Sequence, residues 1–110
     1  MNEADVKYLE QPAKTLKLSE AIRIGAKMRP QGRLAMFSDG KSCAFGAAYE
    51  GIGGNYREGM HLFETPSDFF GSVWRAGVDG KYLADEILRR NDDRRETRES
   101  IADWLESIGY

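Results

Sequence analysis

The closing stretch Thr97 to Tyr110, TRESIADWLESIGY, constrains the fold more than any other part of the chain. Ile101, Trp104, Leu105 and Ile108 recur at i, i+3, i+4 and i+7, a spacing that lines them along one face of an α-helix. Thr97 can cap its start, Glu99 sits in the first turn, and Gly109 offers a stop. The opposite face carries Glu99, Asp103 and Glu106 and is acidic. A closing helix often reads DNA in small regulators, and here that face has the wrong sign for phosphate.

Composition narrows the class. The chain has 110 residues, enough for one domain that buries roughly 65% of its unfolded surface. Hydrophobic residues make up 41% and charged residues 31%, a globular mixture. A net charge of -2 gives no electrostatic reason to seek nucleic acid or an anionic membrane. The single cysteine, Cys43, rules out an internal disulfide and a cysteine-rich zinc site. The polar start MNEADVKYLEQPAK lacks the apolar core of a secretory signal, and no run approaches the ~18 apolar residues of a membrane helix. The expectation is a cytoplasmic protein.

Residues 1–14, interrupted by Pro12, read as a loose arm, and residues 15–110 as a single helical domain. Ser19 is placed to cap a helix through Met28, with Leu18, Ala21, Ile22 and Gly25 inward and Pro30 beyond its end. Leu34–Phe37 and Met60–Phe63 are short apolar runs that could pair as a ribbon, the first closed by the turn signal Ser38-Asp39-Gly40. Ser42 is placed to cap a helix with a Phe45, Ala48, Tyr49, Ile52 stripe, whose narrow side at Gly46, Ala47 and Ala48 suits a close helix neighbour. Thr65-Pro66-Ser67-Asp68 predicts a further helix carrying Phe69, Phe70, Val73 and Trp74 and stopped by Gly77. Asp79 is read as opening the next, with Tyr82, Leu83, Ile87 and Leu88 inward. The predicted fold is mainly α: one compact domain of about five short helices with a minor two-stranded β-ribbon.

Several constellations could carry chemistry. RRNDDRRETR, Arg89 to Arg98, holds five arginines within ten residues and could form a phosphate-contacting patch, but Asp92, Asp93 and Glu96 interleave with them and favour a solvated, salt-bridged turn. A helix-turn-helix across this junction would need a shorter connection with glycine. Cys43 lies at the first turn of a predicted helix, where amides favour thiolate, and His61, the only histidine, is its one available base. A buried structural cysteine is the simpler account of the alanine-rich surroundings. Trp74 with Phe69 and Phe70 could line an interface or a core. Gly51-Ile52-Gly53-Gly54 follows a helix instead of opening one, and Gly40-Lys41-Ser42 lacks the earlier P-loop glycine, replaced by Ala35. No metal-ligand spacing is present, and neither a metal nor a cofactor is expected.

Three segments carry a resemblance: LSEAIRIGAKMRPQ (18–31), SCAFGAAYEGIG (42–53), and ILRRNDD with RESIADWLE between Ile87 and Glu106. Together they resemble a group of small bacterial and phage-borne proteins sharing a Leu-Ser-Glu-Ala-Ile helix start, a Cys-Ala-x-Gly-Ala helix, and Asn-Asp followed by an Ile-Ala-x-Trp-Leu helix. The resemblance implies a compact, mostly helical domain without an assigned activity, and it carries over no catalytic residue. Cys43, Gly46, Asn91 and Asp92 are the motif positions to mutate first.

By elimination the leading reading is a non-enzymatic protein-interaction or regulatory module whose partner is another protein. The alternatives are a small enzyme or ligand binder using Cys43 or the Asn91–Asp92 pair, and a nucleic-acid-binding regulator. Binding candidates are Trp74, Asn91 and Asp92; catalytic candidates are Cys43 and His61.

Overall fold

The computed structural model describes residues 16–61, 77–78 and 81–110. The fold is mainly α with minor β hairpins. The order is α1 (Leu18–Ala26), β1 (Phe37–Ser38), β2 (Lys41–Ser42), α2 (Ala44–Gly51), β3 (Gly77–Val78), β4 (Lys81–Tyr82), α3 (Leu83–Asp92) and α4 (Arg98–Ser107). Four helices stand among the described residues where about five were expected. The helix predicted from Thr65 to Gly77, the arm at 1–14, and Leu62 and Phe63 fall outside the described residues, Gly77 itself excepted.

Local chemistry explains α4 well. The Thr97 hydroxyl accepts the Ser100 amide at 3.0 Å, the expected cap. Gly109 adopts φ +96, the Tyr110 amide bonds the Leu105 carbonyl at 2.9 Å, and the Gly109 amide bonds that of Glu106 at 3.1 Å, a Schellman stop. Ile101 and Leu105 are buried, whereas Ile108, expected on the apolar face, remains 38% exposed beyond the last turn.

The helix α1 begins one residue before the expected cap. Lys17 occupies the capping position, and Ser19, fully buried, instead donates its hydroxyl to the Tyr110 carbonyl at 3.2 Å. The chain end therefore closes onto the start of α1. Leu18, Ala21, Ile22 and Gly25 face inward as predicted. The closest packing joins α1 to α2: a Cβ on Gly25 would overlap the Ala47 carbonyl, and one on Gly51 the Ala21 carbonyl. Ala47 thus meets a neighbouring helix as anticipated, while Gly46 abuts the Met36 carbonyl. Phe37, Phe45, Leu83, Ile87, Ile101 and Leu105 fill the space between the helices.

Both hairpins flank an Asp-Gly dipeptide, the strongest two-residue hairpin signal. In the first, Phe37 pairs with Ser42 and Ser38 with Lys41, and Asp39 and Gly40 have φ of +53 and +74, the type I′ pattern. Phe37 thus pairs locally with Ser42; just before the second apolar run the Gly59 amide donates to the Phe37 carbonyl at 3.0 Å, and Leu62 and Phe63 of that run lie outside the described residues. In the second hairpin, Val78 pairs with Lys81. This corrects the helix expected to open at Asp79: Lys81 and Tyr82 are extended, so α3 starts at Leu83, and Tyr82 is 59% exposed instead of inward.

Candidate functional site

A buried polar brace ties the four helices together, and Asn91 is its centre. Asn91 is fully buried at the end of α3. Its Oδ1 accepts from the Ala44 amide at 3.1 Å and from Gln31 Nε2 at 3.0 Å. Its Nδ2 donates to the Gly32 carbonyl at 3.0 Å and to Asp92 Oδ1 at 2.8 Å. All four hydrogen-bonding positions of the amide are used inside the chain. The cap of α2 thus comes from a residue 47 positions away, which corrects the expectation that Ser42 provides it. Ser42 lies in β2, where its hydroxyl accepts from Arg98 Nη1 at 2.8 Å.

Arg98 is the second member. Its side chain is buried and donates from Nη2 to the carbonyls of Arg29 at 2.8 Å and Ala26 at 3.3 Å, at the C-terminal end of α1. The Ala26 carbonyl belongs to the negative pole of the helix, and together with that of Arg29 it offsets part of the burial cost of the cation. Burial still lowers the Arg98 pKa from its ordinary value. Nearby, Arg29 holds the nearly buried Glu50 through two bonds of 2.6 and 2.8 Å and stacks over Tyr56 at 4.3 Å.

The five arginines of RRNDDRRETR meet three different fates. Arg89, Arg90 and Arg94 form the anticipated salt-bridged turn, the Arg90 guanidinium lying 3.2 Å from carboxylate oxygens of both Glu86 and Glu96 and 4.0 Å over the Trp104 ring. Arg98 goes into the brace. Arg95 turns the other way, with φ +55, and lines a cleft.

That cleft, of about 400 Å³, lies between the 31–34 segment, the β1–β2 turn and the end of α3. Among the described residues its cations are Arg33, Lys41 and Arg95, and Asp39 is the one carboxylate-bearing residue in its lining. Elsewhere Arg23, Arg29, Arg89, Arg90 and Arg94 each meet a carboxylate within 4.0 Å. Within the cleft Arg33 reaches only the Asp92 carbonyl, at 3.3 Å, and the side chains of Lys41 and Arg95 have no hydrogen bond or ion pair among the described residues. The non-glycine residues with left-handed backbone among those described are Leu34, Asp39 and Arg95, and all three line this cleft. Such a conformation disfavours an ordinary side chain by roughly 1–2 kcal/mol. Asp92 Oδ1 holds the first of them through the Leu34 amide at 3.1 Å. The result is an irregular rim carrying uncompensated charge above a floor locked by Asn91 and Gln31. Leu34, 86% exposed, adds an apolar edge.

Cys43 and His61 are not among the residues that line the cleft. Cys43 is 2% exposed, and burial, the largest influence, pushes its thiol up to about 11. That favours the protonated form, opposite to an activated thiolate. His61 is exposed, and Trp74 lies outside the described residues. Among the described residues no three His, Cys, Asp or Glu side chains cluster as a metal site. No helix there is long and apolar enough to cross a membrane. Sequence reasoning missed Gln31, Arg33 and Lys41 and read Arg95 and Arg98 only as part of the charged run, because each gains its role from contacts between distant segments. The Asp39-Gly40 signal was the one local clue, since a two-residue turn folds Lys41 back beside Ser38. In comparisons with known proteins no family model, no curated protein and no solved structure matches the chain.

Proposed function

We propose that this chain is a non-enzymatic interaction module that holds an acidic segment of a partner protein in the cleft lined by Arg33, Lys41 and Arg95. The observation that carries the reading is the gathering of three cations without carboxylate partners in one cleft, in a chain whose net charge is negative. Unpaired cations over a rigid floor favour an anion by charge complementarity. Exposed Leu34 at the rim suits an apolar side chain flanking the acid. A polynucleotide fits less well, because its charged backbone would extend beyond one cleft across a chain whose net charge is negative.

The test is titration of ¹⁵N-labelled protein with the peptide Glu-Glu-Leu-Glu-Glu-Leu at low salt. Amide shifts centred on Gly32, Leu34, Asp39, Lys41 and Arg95, weakening with added salt, are expected. The double variant K41Q/R95Q should bind at least about tenfold more weakly, while R89Q/R94Q, with the same change in charge, should not. Shifts centred elsewhere, or equal binding of a 12-base-pair DNA duplex, would refute the reading.

A further inference from the structure

We infer that the acidic group this cleft selects is a phosphomonoester, carried on a phosphorylated side chain of the partner. This deepens the acidic-segment reading above and rests on it. The lining has a formal excess of two positive charges, Arg33, Lys41 and Arg95 against Asp39. A carboxylate carries one charge on two oxygens, and a single guanidinium fork pairs that charge through both of them. A phosphorylated side chain carries close to two charges and three strong acceptor oxygens, which matches three separate cationic donors. Two of the three donors are guanidinium groups, whose planar forks suit phosphate oxygens in pairs.

The surrounding structure keeps these donors available. Asp39 stands in the lining itself, and the neighbouring carboxylates of Asp92, Glu96 and Glu58 are already engaged. Asp92 Oδ1 accepts from the Leu34 amide and from Asn91 Nδ2. Glu96 is held by Arg90, and its backbone carbonyl by Gln31 Nε2 at 2.8 Å. Glu58 accepts the Asp39 amide at 3.0 Å and the Tyr56 hydroxyl, while that hydroxyl in turn accepts the Gly40 amide at 2.8 Å. The turn bearing Lys41 is thus braced by Glu58 and Tyr56. An occupant meets donors whose segments are already set, so little ordering is left for the binding step.

Three probes separate the possibilities: a Gly/Ser/Leu decapeptide with one phosphoserine, the same peptide with glutamate at that position, and free phosphoserine. Affinities are measured by calorimetry at fixed salt, for the wild-type chain and for K41Q/R95Q and R89Q/R94Q. The expected result is phosphoserine peptide at least tenfold tighter than glutamate peptide, at least tenfold tighter than free phosphoserine, lost in K41Q/R95Q and retained in R89Q/R94Q. Lys41 and Arg95 make no side-chain bonds among the described residues, so the first variant should fold normally, which its circular dichroism checks. Equal affinity for the two peptides, still lost in K41Q/R95Q, would overturn the phosphate inference and leave the acidic-segment reading standing. Free phosphoserine binding as tightly as the peptide would overturn the protein source in favour of a small phosphorylated ligand. Binding indifferent to K41Q/R95Q, or no binding of either peptide, would overturn both.

Discussion

Replacing Asn91 by alanine removes the centre of the brace, and the structure gives the size of the effect. Two of the four lost bonds have substitutes: Gln31 Nε2 keeps the Glu96 carbonyl at 2.8 Å, and Asp92 Oδ1 keeps the Leu34 amide at 3.1 Å. Two groups are stranded. The Ala44 amide, at a helix start 1% exposed, loses its only cap, worth about 1–2 kcal/mol. The half-buried Gly32 carbonyl loses the amide donor that faces it, about 1 kcal/mol. The total is about 2–3 kcal/mol, or a fall in Tm of roughly 9–13 °C for a chain of this size. Urea unfolding followed by tryptophan fluorescence and far-ultraviolet circular dichroism measures it, and hydrogen exchange at the Ala44 amide locates it. Asn91→Asp provides an internal contrast. It keeps the acceptor for Ala44 but sets a second carboxylate against Asp92 and the Gly32 carbonyl. Burial and like charge would raise that carboxylate's pKa in the fold, so its deficit should shrink as the pH is lowered. A loss below about 1 kcal/mol for Asn91→Ala, or an Ala44 amide as protected as before, would refute the reasoning.

Two further outcomes follow from burial and packing. Cys43 should resist iodoacetamide at pH 8 until the chain is unfolded. Its folded pKa of about 11 stands above the ordinary 9.0, so its contribution to stability is whole below pH 9 and declines as pH rises from 9 to 11. The decline attributable to it is about 2–3 kcal/mol, read as the difference between wild type and Cys43→Ala. An identical pH dependence in the two proteins would contradict it. Gly25→Ala should destabilise by about 1–3 kcal/mol despite alanine's better helix propensity, because its Cβ overlaps the Ala47 carbonyl and must push α1 from α2. A Tm at or above wild type would show that the two helices do not pack at this distance.

Elements built from near neighbours were legible in the chain itself. The face of α4, its Thr97 cap and its Gly109 stop depend on residues within one or two turns, so periodicity and capping rules suffice. The inward face of α1 and the Asp39-Gly40 turn were readable for the same reason. Where two local signals competed, reading went astray: Asp79 is a fair helix cap and equally the first residue of an Asp-Gly hairpin, and the pairing of β3 with β4 prevailed. Asn91, Asp92 and Cys43 drew notice as motif positions, but their physical roles did not show. Asn91 bonds residues 47 and 60 positions away, and no pattern along the chain reports that α3 ends against the start of α2. Arg95 and Arg98, three residues apart in one charged run, part company because one adopts a left-handed backbone beside an open cleft and the other points under the end of α1. Periodicity and caps are properties of one segment, whereas burial, charge compensation and the shape of a cleft are properties of how segments meet. The helices could therefore be read from residue order, and the brace and the cationic cleft arise where those helices pack.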